Sequence, residues 1–325
     1  MQLQGSFKLI KRVAGALGLV LLVVIVWYAS GRALAPSRAV TSYELDSSAA
    51  SSSATDSNVL NIGSFNIAHG RGGILGAKNW QSGDRADLLD HLDQIAAQIR
   101  AQKLDVIVLN EIDFSSKWSF NINQARYIAE QAGYSYAVEQ RNMDVSFPFF
   151  DFKFGNAILS RYPIVKSDFV NFEPLSKWED LFVGNHDGLL SIVDTPFGEL
   201  GIIAVHLEYR DEAIRVSAAK MIDEIAKTMA IPVVAAGDYN SAPSGYPKSK
   251  ISASGENALN HLLDATEFQA AKNVSPNQFT FPSQNPSQVI DWILVRGDVQ
   301  LSNAQVVRSE LSDHFLISGQ LTVAN

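Results

Sequence analysis

I-P-V-V-A-A-G-D-Y-N-S-A, from Ile231 to Ala242, decides how the rest of the chain is read. Ile231 to Ala236 is a short unbroken apolar run with two adjacent valines, the pattern of a strand covered on both faces. Gly237 ends the run and lets the backbone turn. Asp238 and Asn240 follow two residues apart, on one side if the chain stays extended. A carboxylate beside an amide at the mouth of a buried strand suits a hard cation, and the pair can also orient a water or a phosphate oxygen. The same residues serve elsewhere as ordinary turn formers that cap backbone groups. Other strand ends decide between the two readings.

Upstream, Asp211 caps a helix running to about Met229, with Ile214, Ala218, Met221, Ile222 and Ile225 on one face. Before it, Leu189 to Val193 and Leu200 to Val205 flank T-P-F-G, a hairpin signal, and the second strand ends at His206. G-N-A-I-L-S, Gly155 to Ser160, is strand-like and turns at Arg161-Tyr162-Pro163. Further back, Val59 to Phe65 reads as a strand followed by Asn66, then a glycine-rich loop from His69 to Gly76. Asp84 can cap a helix carrying Leu88, Leu89, Leu92, Ile95 and Ile99 at one-face spacing. Val106 to Leu109 is a buried strand ending in Asn110 and Glu111. A helix is predicted over about Phe120 to Gln131, with Gly133 as its stop, and a strand over Tyr136 to Glu139.

Downstream, a looser Ser- and Pro-containing region covers Ser241 to Gly255, and a short helix is predicted near Ala258 to Leu263. Val289 to Val295 and Val306 to Val307 read as strands, and Ser312-Asp313-His314 directly precedes Phe315 to Ile317. Hairpins mixed with helices argue for a layered α/β or α+β body rather than a purely parallel sheet. Within Arg141 to Phe154, F-P-F-F-D-F-K-F is either a loop packed on the body or an exposed aromatic wall for a substrate or a membrane.

With 325 residues and 46% apolar content, the chain can bury a substantial core. Four of its 26 basic residues (Lys8, Lys11, Arg12 and Arg32) flank the N-terminal apolar stretch, and no acid precedes Glu44. After Ala35, 22 basic residues therefore face 34 acidic ones, a balance of -12 that gives no general attraction to a polyanion. Cysteine is absent, which excludes disulfides, thiolate metal sites and a cysteine nucleophile; six histidines remain as candidate bases.

Val13 to Ala29 is free of charge, follows Lys8, Lys11 and Arg12, and ends in Trp27 and Tyr28. As a helix these residues reach roughly 26 Å, just short of a hydrocarbon core. The basic flank keeps the amino end cytoplasmic and sends the remainder across. Residues 1–35 are read as a signal anchor, or as a secretory signal cleaved after Ala33-Leu34-Ala35. Residues 36–58, rich in Ser and Ala, are expected to be a flexible tether, with an ordered domain over 59–325.

Polar residues thus stand at strand ends throughout: Asn66, Glu111, Asn156, His206, Asp238, Asn240, Asp291, Asp313 and His314. Turn chemistry alone does not account for so many. S-F-N-I (Ser64–Ile67), L-N-E-I (Leu109–Ile112), G-N-A-I-L-S-R-Y-P-I (Gly155–Ile164), A-V-H-L (Ala204–Leu207), A-G-D-Y-N-S (Ala236–Ser241), I-D-W-I (Ile290–Ile293) and S-D-H-F (Ser312–Phe315) follow one another in family order. This set resembles the endonuclease/exonuclease/phosphatase superfamily, which includes pancreatic-type deoxyribonucleases, abasic-site endonucleases, inositol polyphosphate 5-phosphatases and neutral sphingomyelinases. Asn110 departs from the glutamine usual before the metal-binding glutamate.

The resemblance implies a four-layer sandwich, two packed central β-sheets with helices outside. It implies a magnesium cofactor, with manganese a substitute, as one or two ions. Glu111 is the expected principal ligand, with Asn66 and Asp313 nearby. Asp238 and Asn240 are expected to orient the attacking water and bind phosphate. His314, held by Asp291, is expected as general base or phosphate ligand. His206 would bind or protonate a phosphate oxygen, and Asn156 would bind substrate or support the site. His69 reads as a structural donor, Arg71 and Lys78 as ordinary basic residues, His91 as solvated and His261 as unremarkable; the neighbours His186 and Asp187 are not expected to form a couple.

The expected activity is in-line attack of water on a phosphoester. The acidic balance favours a small or lipid-linked phosphoester over DNA or RNA, which would need a basic groove. A non-catalytic binding module on the same fold is the reading from another class. It predicts lost ligands or bases, whereas Glu111, His206, Asp238, Asn240, Asp291, Asp313 and His314 are all present.

Overall fold

Period-two alternation, in which every second side chain of a strand faces the same way, sorts the chain into two sheets. The computed structural model describes residues 2–34, 40–45, 59–71, 83–147 and 150–323. Lys78, Ala35, most of the glycine-rich loop and the larger part of the Ser/Ala-rich stretch lie outside the described residues. The first sheet has the order β1 (Val40–Glu44), β4 (Tyr136–Phe147), β5 (Phe150–Ser160), β3 (Val106–Asp113), β2 (Val59–Asn66), β12 (Leu316–Val323), β11 (Val299–Val307). The second runs β10 (Asp291–Arg296), β9 (Val233–Asp238), β8 (Gly198–His206), β7 (Gly188–Thr195), β6 (Ile164–Val170). Among the described residues only the two pairs β2 with β3 and β8 with β9 are parallel; every other pairing is antiparallel.

The sheets face each other across Leu60, Ile62, Val106, Val108 and Ile158 on one side and Leu200, Ile202, Val234, Ala236 and Ile293 on the other. The opposite parity of the first sheet, Phe65, Ile107, Leu109, Ala157 and Leu159, buries against α2 (Arg85–Ala101) and α3 (Gln124–Ala132). Likewise Ile203, Val205, Val233, Ala235 and Leu294 bury against α5 (Glu212–Thr228) and α6 (Ala258–Ala265). Helix, sheet, sheet, helix is the expected four-layer sandwich. Each large aliphatic side chain removed from water contributes about 2 kcal/mol, and the three layer interfaces share that burial.

Local signals set most boundaries. Asp84 caps α2 with a reciprocal bond from the Asp84 N–H to the Asp87 carboxylate, and such a cap contributes about 1 kcal/mol. Asp211 caps α5 through the Ala213 N–H. Gly133 stops α3 in the left-handed region, φ 81°.

Several boundaries differ from the sequence reading. First, α3 starts at Gln124 because Phe120 and Asn121 take left-handed φ of 56° and 57°, so Asn123 becomes the cap. Apart from Pro148 and Phe149, which lie outside the described residues, the phenylalanine-rich segment belongs to the distal half of a long β4–β5 hairpin. Within the stretch expected to be a tether, Val40–Glu44 adds an edge strand to β4, which offers free ladder groups to a β-branched, alternating segment. Finally, α1 (Gln2–Leu34) is one continuous helix whose apolar span is Phe7–Ala29, longer than the charge-free run Val13 to Ala29.

Candidate active site

At one end of the sandwich the inner-facing rows change from apolar to polar without changing parity. Leu60 and Ile62 are followed by Ser64 and Asn66; Val106 and Val108 by Asn110; Ile202 and Ala204 by His206; Val234 and Ala236 by Asp238. On antiparallel neighbours the same row reads backwards, from Ile293 to Asp291 and from Ile158 to Asn156. The register aligns His206 with Asp238 and Asp238 with Asp291 in one sheet, and Asn66 with Asn110 in the other. Polar ends of six strands therefore meet at one rim.

Glu111 reaches this rim by a bulge. The β3–β5 register shifts between Leu109 and Ile112, and Glu111 sits at φ 50°. Such a kink re-aims one side chain at the end of a ladder. Positive φ recurs at Ala68 (45°), His69 (59°) and Asn240 (48°), all around the same rim; non-glycine residues hold such backbone only under constraint from their surroundings. Gly237 is obligatory, since a Cβ there would lie 1.8 Å from the Val205 carbonyl oxygen.

The side chains interlock. Asn66 Nδ2 donates to Glu111 Oε1 (3.1 Å) and Asp238 Oδ2 (3.2 Å) and lies 3.4 Å from His314 Nε2. Its Oδ1 accepts from the Ala68 N–H (3.1 Å), so the amide nitrogen, not the oxygen, faces the carboxylates. A cation ligand role for Asn66 needs that amide turned over. His314 Nδ1 sits 2.9 Å from Asp291 Oδ2, and its Nε2 is 3.6 Å from Asp238 Oδ2. His206 Nε2 lies 3.7 Å from Glu111 and 3.9 Å from Asp238, while its buried Nδ1 has no partner. Asn240 is not extended beyond Asp238 as the spacing implied. Its N–H returns to Asp238 Oδ1 (2.8 Å) and its amide donates to Leu207 O (2.9 Å), a turn that still leaves it on the cleft wall.

Glu111, His206, Asp238, Asn240, Asp313 and His314 line a cleft of about 490 Å³. Asp291 stands behind His314. Asn156, expected to bind substrate, is fully buried instead: it donates to Gln140 Oε1 and Asp187 O and accepts from Asn110 Nδ2. Asn110 in turn accepts from the Asp238 N–H across the sheets (3.1 Å), so Asn156 supports the rim through Asn110.

Burial alone would raise the Glu111 carboxyl, but His69, His206, His314 and the Asn66 amide hold it down at about 2. Burial pushes Asp238 up, with Asp291 and Glu111 adding to the shift. Burial likewise raises Asp313. For His314 burial opposes the charge, yet Asp291 and Asp238 overcome it and raise the imidazole well above its usual range. Burial, then His186, drives His206 down to about 3, which keeps it neutral. Four carboxylates, Glu111, Asp238, Asp291 and Asp313, thus converge, and among the described residues none of them forms a salt bridge with Lys or Arg. Such an oxygen-rich donor set fits a hard divalent cation. Donor atoms of Asp238, Asp291 and His314 lie within 4.8 Å of one another and could hold a metal by spacing. The 2.9 Å His314–Asp291 contact is that of a charge-assisted hydrogen bond, which favours Glu111 and Asp313 as the cation's holders.

Two further histidines belong to the site. His69 lines the cleft, with Nδ1 2.9 Å from Asp113 and Nε2 3.5 Å from Glu111, boxed by Trp118, Phe152 and Phe154. His186 stacks edge-on against His206 at 4.8 Å and lies 3.7 Å from Glu208. Asp187 turns elsewhere, accepting from the Phe172 N–H. The pairs Glu111–Asp113 and His206–Glu208, each two residues apart, were the available sequence signals. Arg71 is held against the Trp118 ring at 4.0 Å, and His91 is partly exposed, with its Nε2 meeting Leu311 O at 2.7 Å.

Solved structures share this fold. An endonuclease/exonuclease/phosphatase from Beutenbergia cavernae is 21% identical, with a TM-score of 0.58 over 82% of this chain and 72% of that one. A mannosyl-6-phosphatase from Bacteroides thetaiotaomicron is 14% identical, with a TM-score of 0.54 over 81% and 99%. ANGEL2, a 2',3'-cyclic phosphatase, is 15% identical, with a TM-score of 0.54 over 81% and 95%. No curated protein matches the chain significantly. The family profile extends over residues 63–314, which takes in every strand end of the cleft, and the chain belongs to the Endonuclease/Exonuclease/phosphatase family.

Proposed function

We propose that this chain is a divalent-metal-dependent phosphoester hydrolase, acting as a phosphodiesterase on a small or lipid-linked phosphoester. The observation that carries the reading is the convergence of Glu111, His206, Asp238, Asn240 and the Asp291–His314 pair on one cleft from strands distant in sequence. Glu111 and Asp313 would hold the cation, magnesium or manganese, joined by Asn66 if its amide turns over. When bound, the ion supplies positive charge to the phosphate oxygens and the leaving oxygen.

The chain's own residues divide the remaining work. Asp238, raised by burial, takes the proton of the attacking water as the water oxygen bonds to phosphorus. Asp291 fixes the His314 ring, whose protonated Nε2 donates to a phosphate oxygen and offers a proton to the departing alcohol as its P–O bond breaks. Neutral His206 donates to a second phosphate oxygen, and Asn240 holds the Asp238 loop in register.

Cleft size and charge support the small or lipid-linked substrate. About 490 Å³ suits a head group, and the cationic lining is Lys248, Lys250 and Arg210, the last already paired with Glu208 and Glu179. A nuclease needs a longer row of unengaged cations. The phosphatase activities named for two structural neighbours agree with the hydrolase class. Helix α1 is read as an anchor, its basic flank cytoplasmic and the catalytic domain exported; secretion after cleavage near Ala35 is the alternative.

The test is turnover of bis-p-nitrophenyl phosphate with magnesium, in parallel with DNA, RNA, sphingomyelin and phosphatidylinositol phosphates. Magnesium-dependent release abolished by chelator supports the reading. No turnover of any of these substrates, with the His314→Ala variant indistinguishable from the unaltered chain, leaves only a binding module.

A further inference from the structure

Helix α4 (Lys177–Phe182) was not legible in the sequence and has two unlike faces. Glu179 turns inward, lines the cleft and pairs with Arg210 at 2.6 Å. Trp178, Leu181 and Phe182 turn outward, 70%, 58% and 46% exposed, at the i, i+3, i+4 spacing of an apolar stripe. Trp178 and Phe182 stack nearly parallel, ring centres 5.9 Å apart, as one aromatic plate. The backbone holds this plate still. Gly184 follows one residue after the helix at φ 127°, where a Cβ would lie 2.0 Å from the Asn142 carbonyl oxygen, and Asp144 and Asn185 N–H groups bond across to Val183 and Asn142.

What covers the plate is indicated by helix α1. Its apolar span, Phe7–Ala29, is exposed along most of its length, but Val24 and Tyr28, one turn apart, are partly covered. Tyr28 lies 6.0 Å, ring to ring, from Phe182. The end of the span and the aromatic plate are therefore side by side, at the level where aromatic residues settle between hydrocarbon and water.

We infer that α4 is a membrane-interface element: Trp178, Leu181 and Phe182 insert into the head-group boundary of the bilayer that α1 crosses. Glu179 on its reverse face then sets the cleft mouth beside that bilayer. Resting on the phosphoesterase reading above, this makes the head group of a membrane lipid the substrate class. The insertion itself stands without that reading.

The natural absence of cysteine makes single-cysteine labelling direct. Spin labels at Trp178→Cys and Leu181→Cys are measured in the full chain reconstituted into phosphatidylcholine vesicles, with Val20→Cys as the lipid reference and Glu224→Cys on α5 as the aqueous one. Collision with oxygen over a water-soluble nickel chelate, as at Val20, is the expected result. Accessibility matching Glu224 overturns insertion; so does spin–spin broadening relieved by unlabelled chain, which assigns the plate to a second copy. In activity, Trp178→Ser with Leu181→Ser should lower turnover of sphingomyelin in vesicles about tenfold and leave bis-p-nitrophenyl phosphate unchanged. An equal fall on both overturns the link to substrate delivery. If the unaltered chain hydrolyses neither substrate, the phosphoesterase reading fails, while the label depths still decide insertion.

Discussion

Two buried histidines flank the carboxylates of the cleft, and each is gripped by an aspartate through Nδ1: His314 by Asp291 and His69 by Asp113, both at 2.9 Å. In both, burial opposes the charge and the aspartate overcomes it, so both imidazoles are raised. Their free nitrogens differ in surroundings. His314 Nε2 faces Asp238 and the Asn66 amide, where the phosphate is expected, while His69 Nε2 faces Glu111, the expected cation holder. Among the described residues His314 is flanked by one ring, Phe281 at 4.6 Å, whereas His69 is boxed by three aromatic side chains. One pair is open to the reacting centre. On the proposed reading, the other would position the Glu111 carboxylate. On that reading the same two residue types would serve different ends according to what their second nitrogen meets.

The difference is testable by which kinetic quantity each substitution moves. His314→Ala removes the donor aimed at phosphate and should lower kcat about a thousandfold at saturating magnesium, measured with bis-p-nitrophenyl phosphate. Loss of less than tenfold would give the protonation role to His206 instead. Asp291→Asn keeps the shape but weakens the hold on the ring, and should cost about a hundredfold in kcat with little change in the magnesium requirement.

His69→Ala should behave in the opposite sense. The magnesium concentration for half activity should rise about tenfold to a hundredfold, with kcat at saturation nearly kept, read from a metal titration. If His69→Ala instead lowers kcat as His314→Ala does, the two pairs are equivalent and the comparison collapses. Trp118→Phe tests the box most gently. It removes the 2.7 Å bond from Nε1 to Asp113 Oδ2, and should lower stability by about 1–2 kcal/mol by denaturant titration while leaving kcat within about twofold.

The two pairs also differ in how far the sequence reveals them. His314 follows Asp313 directly and sits before an apolar strand, and its partner Asp291 opens another, so both stand out at strand ends. His69 lies beside glycines, a context that reads as loop, and its partner Asp113 is hidden past a bulge that apolar periodicity does not register. His186 has Asp187 as its sequence neighbour but His206 as its spatial one, a pairing that no local pattern encodes. Asn156 is the converse case, and of its two expected roles the geometry favours support of the site over contact with substrate. A polar residue at a strand end can face the cleft or a neighbouring amide, and Asn110 takes it.

What the sequence determined by itself was the alternation along each strand, the helix caps at Asp84 and Asp211, and the polar residues at the same parity where the apolar rows stop. Those features act over two to four residues, so local order is enough to reveal them. Tertiary structure alone decided the rest: which polar ends face the cleft, the bulge that carries Glu111 to the rim, the left-handed turn of Asn240, and the juxtaposition of α4 with the end of α1. These depend on contacts between residues separated by tens to hundreds of positions, such as Asp238 N–H with Asn110, 128 apart, and no local pattern encodes which distant partner will be met.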